Sequence, residues 1–185
     1  MPIHVASRRR SPATLATMFP GAQVIDVTSK ASEPWVRLSP FYPHGGIPVP
    51  FTPGVTSQSV EGIWQALKVF ESTDVDPAKL DITSMKGLKR TVRRYGAVRG
   101  HRAGLHGDEL LPYETARRVI YLPAFRWVLD NRVGDLVREL RDMQDVVLLD
   151  YTTNGDVADP RTPLSHAALI QRYAEGDWPG EDGAA

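Results

Sequence analysis

Within Ser59-Val60-Glu61-Gly62-Ile63-Trp64-Gln65-Ala66-Leu67-Lys68, the residues Glu61, Gln65 and Lys68 stand four and three positions apart. A helix over this stretch gathers an acid, an amide and an amine on one face. Ile63, Leu67 and Phe70 take the opposite face at the spacing that packs against a core. Ser57, Gln58 and Ser59 offer an N-cap, and Trp64 adds an aromatic wall beside the polar patch. In a dry pocket, Lys68 can stay charged and orient Glu61. Alternatively, with a pKa lowered by desolvation, it can attack as a nucleophile. The plain alternative to both is an exposed ion pair on a solvated face.

A second concentration of chemistry lies between Lys86 and Arg102, which holds seven Lys or Arg residues, His101 and no acid. Gly96, Gly100 and Gly104 are interleaved with these cations. Glycines let backbone N–H groups approach a phosphate while arginine forks grip its oxygens. The competing reading is a solvated basic helix paired with acids elsewhere. Because 22 basic residues balance 22 acidic ones, no whole-molecule attraction to nucleic acid or an anionic membrane is implied. Any such contact must be local.

The elements that position these residues fit one domain, since 185 residues at 42% hydrophobic can bury one sizeable core. Cysteine is absent, and the five histidines show no paired metal-ligand spacing, so neither a metal nor a cofactor is expected. No apolar run reaches the length of a spanning helix or a signal peptide core, so a cytoplasmic protein without a membrane partner is expected. Residues 3–6 read as a strand, Ser11-Pro12 as a cap and first turn, 13–19 as a helix and 24–28 as a strand, giving an N-terminal β-α-β element over residues 1–34. Six prolines from Pro34 to Pro53 exclude helix there and predict short extended pieces and turns. Helices are predicted at 59–72, 77–81, 85–95, 112–121 and 124–142, a strand at 146–149 and a last helix at 164–175. A Gly- and Asp-rich tail is expected to fray over 176–185.

The segment SVEGIWQALK resembles the S-x-E-H-x-x-Q-x-x-K helix of the NADAR, or YbiA-like, superfamily, and Leu38-Ser39-Pro40-Phe41-Tyr42-Pro43 resembles its L-S-N-F-Y-P strand. Further likenesses follow in order. Ile82 to Lys89 falls where the family has a short helix before a basic segment, Tyr113 to Arg138 falls on its long helix, and Val147 to Asp156 resembles its L-V-E-x-(S/T)-x-x-D block. The likeness spans residues 35–158. The chain departs from the pattern at Pro40, where the family has Asn, at Gly62, where it has His, and in lacking the W-G after the last aspartate. The resemblance implies an α+β fold: a single, mainly helical domain with a small β-sheet, its NADAR-like core over 35–175 and residues 1–34 an addition.

It also implies cleavage of an N-ribosyl linkage in an ADP-ribose-like or phosphoribosyl ligand, with DNA as a further partner through 86–102. Such chemistry needs stabilisation of oxocarbenium-like charge at the ribose, activation of water or a covalent intermediate, and help for the departing base. Glu61 and Lys68 supply the first two. Asp156 matches the last carboxylate of the family block, and Asp150 stands earlier in it. Either is a second acid, although Asn-Gly-Asp can equally be turn chemistry. Gln65 suits a ribose hydroxyl, and Trp64 can stack on a base or belong to the core. Ser39, Phe41, Tyr42, Tyr113, Arg93, Arg94 and Asn154 complete the expected binding set. His166 is read as a residue of a helix N-terminus, or as a base.

Overall fold

The computed structural model describes residues 2–182. In chain order the elements are β1 (Ile3–Ser7), α1 (Pro12–Met18), β2 (Gln23–Asp26), β3 (Ile47–Pro48), β4 (Thr56–Ser57), α2 (Val60–Leu67) and β5 (Lys68–Phe70). They continue with α3 (Val92–Tyr95), β6 (Val98–Arg102), β7 (Leu110–Leu111), α4 (Tyr113–Ala116), α5 (Leu122–Asn131), α6 (Gly134–Asp142), β8 (Val146–Asp150) and α7 (His166–Glu175). The fold is α+β, with three small sheets where one was expected. The described residues form two compact units, 2–39 with 129–179 and 40–128 with 180–182. The division therefore cuts across the expected boundary after residue 34.

In the first unit, β8 lies between β1 and β2 and runs parallel to both, with Val5 and Ile25 each opposite Leu148. The apolar run Val146-Val147-Leu148 explains its central place, because a strand covered on both faces has no polar face to present. The N-terminal β-α-β element is thus completed by a strand more than a hundred residues on. Its helix starts where the sequence predicts, with Ser11 Oγ accepting from Thr14 N at 3.1 Å and Pro12 opening the first turn. Leu15 packs on Ala6 and Val147, with Phe19 beside them. α6 buries Leu136, Val137 and Leu140, and α7 buries Ala167 to Ile170, ending at Gly176 in the left-handed conformation. The predicted helix over 124–142 is two helices, because Val133 turns fully inward at φ −129° and interrupts the helical backbone. In the segment expected to fray, Trp178 meets Tyr173 edge-on and Pro179 is buried, while Gly180 and Glu181 receive Arg118 and Arg126. The last three residues of the expected tail lie outside the described residues.

In the second unit, β5, β6 and β7 form an antiparallel sheet and β3 pairs with β4. α2 begins at its predicted cap, Ser59, whose Oγ accepts from Gly62 N at 2.9 Å. It ends at Leu67, not near residue 72, and Lys68 already has extended backbone. The cause lies far along the chain. Arg90 Nη1 donates to the carbonyls of Gln65 at 2.9 Å and Lys68 at 2.5 Å, and Asp76 N donates to Ala66 O at 2.8 Å, so the helix end is satisfied by other segments. Val69 and Phe70 then continue as strand against β6, as β-branched and aromatic residues favour. Of the predicted helix over 85–95 only the single turn α3 forms. Before it, Gly87 takes φ +74° and Arg90 is drawn inward. Trp35–Leu38 makes a 3-10 turn inside the proline-rich stretch where no helix was expected, and Pro77–Asp81 is also 3-10. α4 passes through a π-helical turn, Arg117–Tyr121, into α5.

Candidate functional site

α2 brings Glu61 and Gln65 together as its sequence spacing predicts. Gln65 Nε2 donates to Glu61 Oε1 at 2.7 Å, and both side chains are buried. Gln65 is held at its other end, where its Oε1 accepts from Arg90 N at 3.0 Å. This amide therefore ties the backbone at Arg90 to a buried carboxylate. The Glu61 backbone is fixed in turn, its N–H donating to Pro40 O at 2.9 Å. Proline at position 40 supplies the same carbonyl that any residue would, so this departure from the NADAR pattern leaves the α2 anchor intact.

Lys68 reaches the same neighbourhood by a different route. It stands on β5 and not on the helix, and in the β5–β6 ladder its register partner is His101. Burial lowers the Lys68 pKa from its ordinary value, nearby Glu61 favours its charged form, and Arg90 and Lys89 oppose that form. Lys68 thus has one carboxylate and two further cations within electrostatic reach, a local excess of positive charge suited to an anionic ligand. Lys89 Nζ also lies 5.6 Å from the centre of the Phe41 ring, which places the L-S-P-F-Y-P segment beside this group. Tyr42 stacks at a tilt on His44 with ring centres 4.7 Å apart.

Three further residues complete the cluster, Arg90 and His101 from the basic run and Arg117, which the sequence did not single out. His101 is fully buried and its ring stacks on Trp64 with centroids 3.8 Å apart. Neither of its nitrogens makes a hydrogen bond of acceptable geometry, although the Trp64 backbone approaches closely enough to favour a ring proton weakly. Burial, with Lys68 beside it, pushes its pKa down to about 3, so the imidazole is neutral in the fold. Arg90 spends Nη2 on Asp74 O at 2.6 Å and lies 4.9 Å over Phe70, while its buried Nε has no partner. Arg117, buried in the π-helical turn, lies 4.3 Å over the Tyr113 ring and donates to its hydroxyl at 2.9 Å. Tyr113 and Tyr121 both face half-buried Trp64, at centroid distances of 6.0 and 5.7 Å. Trp64 accordingly has a partly exposed surface inside an aromatic enclosure. Only strand pairing joins His101 to Lys68, and no local pattern signals that.

Gly62, where the NADAR pattern has histidine, has no space for any side chain. A Cβ there would lie 2.7 Å from Lys79 O and 2.9 Å from Ser57 Oγ. The helix packs against the Pro77–Asp81 turn through this gap, and chemistry that requires a histidine at this point has no counterpart here.

The remaining expected site residues belong to the first unit or to the surface. Ser39 is buried just after the Trp35–Leu38 turn. Asp150 is committed on both oxygens: Oδ2 accepts from Ser165 Oγ at 2.8 Å, His166 Nδ1 at 2.9 Å and Ala167 N at 3.3 Å, and Oδ1 from Tyr151 N at 2.7 Å. His166 Nε2 donates to Val27 O at 2.7 Å, so both ring nitrogens face acceptors and both carry protons. The interactions with Asp150 and Val27 outweigh burial and raise the His166 pKa, and those with His166, Ser165 and Ala167 outweigh burial and lower that of Asp150. Asn154 braces a loop through Asp159 O and Thr162 O, and Asp156 Oδ1 accepts from Ala158 N at 2.9 Å, which is turn chemistry.

In the basic segment Lys86, Lys89, Arg93, Arg94 and Arg99 are exposed. Arg102 pairs with Asp74, and Arg90 is the buried brace already described. The segment is therefore neither one phosphate cradle nor one solvated helix. Its glycines serve packing: a Cβ on Gly100 would lie 2.5 Å from Leu111 O, and the Gly96 and Gly104 N–H groups donate to Val92 O and Arg102 O.

Fold and cluster together define an α+β protein in which a buried acid, amide and imidazole and a half-buried amine are joined by one helix and one strand pair. The chain belongs to the DUF6939 family, a family of unknown function whose match covers residues 7–170. Comparison with curated proteins gives no match. Among the described residues no group of side chains is arranged to hold a metal ion, and no helix is long and apolar enough to cross a membrane.

Proposed function

We propose that this chain has a NADAR-like core and is an N-glycosidase that cleaves an N-ribosyl linkage in a nucleotide-derived substrate, either ADP-ribosylated guanine in DNA or a phosphoribosyl amino-pyrimidine. The observation that carries the reading is the buried Glu61 carboxylate, oriented by Gln65 at 2.7 Å, with Lys68 near it and Lys89 and Arg90 near that amine. Glu61 faces the positive charge that develops at the ribose carbon as the carbon–nitrogen bond breaks and its electron pair leaves with the base. It then takes the proton of the water that adds to that carbon. The surrounding cations hold the phosphates, and the open surface of Trp64 takes a base. Lys68 either keeps Glu61 charged and aligned or, its pKa lowered, forms a Schiff base with the opened sugar.

A second reading, a nucleotide or nucleic-acid binder without turnover, draws on Gly62 and the absence of room for a histidine there. The test incubates the full chain with DNA carrying ADP-ribosyl guanine and with a phosphoribosyl amino-pyrimidine, following release of the sugar phosphate. Glu61→Gln should lower turnover by a factor of about a hundred or more, the usual size of a lost acid–base group, without moving the melting temperature. Binding of either compound with no turnover by the wild type supports the second reading. Equal turnover by wild type and Glu61→Gln removes Glu61 from the chemistry.

A further inference from the structure

Parallel strands β1 and β8 finish together, Ser7 opposite Asp150, and the segments that leave them line an open cavity of about 410 Å³. None of its lining residues belongs to the α2 cluster. The carboxyl ends of parallel strands are where loops diverge and ligands settle in sheets of this kind, and the volume suits a mononucleotide-sized molecule. Five of its lining residues, Ser7, Tyr151, Thr152, Thr153 and Thr162, carry a hydroxyl. The wall's one amide, Asn154, is spent on bracing the loop, and its one carboxylate, Asp159, is neutralised by Arg161 Nε and Nη2, both at 2.8 Å. The hydroxyls of Thr152 and Thr153 have no protein partner among the described residues, although both line the cavity.

The charge around this cavity is also unbalanced. Arg8 pairs with Asp26 at 2.7 Å and lies 5.6 Å over the Tyr151 ring, whose side chain is 43% exposed. Arg9 and Arg10, which follow Arg8 in the chain, are exposed and have no ion-pair partner among the described residues. The Thr152 and Thr153 hydroxyls, exposed arginines on the chain that leaves β1 and a partly exposed aromatic ring match a phosphate joined to a planar base. We propose that this cavity is a binding site for a nucleoside monophosphate. Thr152, Thr153 and Ser7 donate to the phosphate, Arg9 and Arg10 supply the counter-charge, and Tyr151 stacks on the base. The site stands whether or not the α2 cluster is an N-glycosidase.

Calorimetric titration of the full chain with AMP, adenosine and inorganic phosphate tests it. AMP should bind saturably and more tightly than either fragment. Thr152→Val with Thr153→Val keeps shape while removing both donors, and Arg9→Ala with Arg10→Ala removes the charges. Each pair should weaken AMP by about tenfold or more, the effect of losing bonds to a charged group, and the arginine pair should also flatten the salt dependence. These positions lie on loops, so melting temperatures should hold. No saturable AMP binding, or unchanged affinity in both paired variants, would overturn the proposal.

Discussion

Asp150 with His166 in the first unit and Lys68 with His101 in the second are both pairs of ionisable side chains withdrawn from water, and their surroundings treat them oppositely. Around Asp150 and His166 every polar atom has a partner, from Ser165, Ala167, Tyr151 and Val27, and both groups are driven towards their charged forms. Around Lys68 and His101 both groups are driven towards their neutral forms, and the imidazole nitrogens are left without hydrogen bonds. A buried ion pair with all its hydrogen bonds made is architecture, here joining β8, the start of α7 and the chain after β2. A buried polar group left unsatisfied costs stability and persists where something else uses it. Sequence ranks Asp150 with Glu61 as candidate acids, and only the partner list separates them.

The largest effect should come from breaking the satisfied pair. Asp150→Asn leaves the His166 cation buried against carbonyl oxygen with no counter-charge and should cost about 3–5 kcal/mol in urea unfolding. The pH dependence has two edges. His166 is raised above 6.5, so its contribution is complete below that pH and is lost as pH climbs through its folded value. Asp150 is lowered below 3.8, so its contribution is complete above that pH and is lost as pH falls through its folded value. The pair therefore stabilises fully between 3.8 and 6.5, and the variant should lose that plateau relative to the wild type. An unchanged unfolding midpoint would mean that the two buried pairs do not differ in this way.

His101→Phe probes the other side of the contrast with a smaller change. The ring keeps its stack on Trp64 and two unpaired nitrogens disappear, so stability at neutral pH should hold or rise by about 1 kcal/mol. Because the folded pKa of His101 is depressed to about 3 from 6.5, its contribution is fully present above 6.5 and is lost as pH falls towards 3. Melting temperatures between pH 4 and 7 should fall less steeply on acidification for the variant than for the wild type. Parallel curves would show that the imidazole is not held neutral. Turnover or ligand affinity measured on the same variant then separates a site residue from a core residue, since only a site residue reduces them.

What could be read from the sequence divides along the same line. The start and inner face of α2, the Ser11 cap of α1 and the central strand β8 follow from local signals, namely capping hydroxyls, a helical apolar period and a continuous apolar run. The end of α2 does not, because it is set by Arg90, a residue 25 positions from Gln65. His101 enters the site through strand register, and Asp150 meets His166 across a loop, so neither pairing leaves a mark at short spacing. In the run from Lys86 to Arg102 the residue types are alike, yet Arg90 is buried in the site while Arg93 and Arg94 are exposed on the single turn α3. Charge composition carries no information about that difference.

That last contrast yields the smallest expected effect on stability. Arg93→Ala with Arg94→Ala removes exposed side chains, of which Arg94 lies 5.2 Å over the neighbouring Tyr95 ring, and the change should stay within about 0.5 kcal/mol. Arg90→Ala, in contrast, strips the end of α2 of its brace and should unfold far more easily. If the exposed arginines meet phosphate, the paired variant should bind ligand more weakly and with a shallower dependence on salt, since each lost phosphate contact reduces the counterions released. Titrating ADP-ribose and a short DNA duplex separately locates the contact. Weakening for both ligands places Arg93 and Arg94 at the mouth of the α2 cluster, and weakening for the duplex alone makes them a surface track for nucleic acid. Equal affinity of variant and wild type for both ligands at low and moderate salt would return the pair to the solvated surface, leaving Arg90 as the one arginine of the run with a structural task in the site.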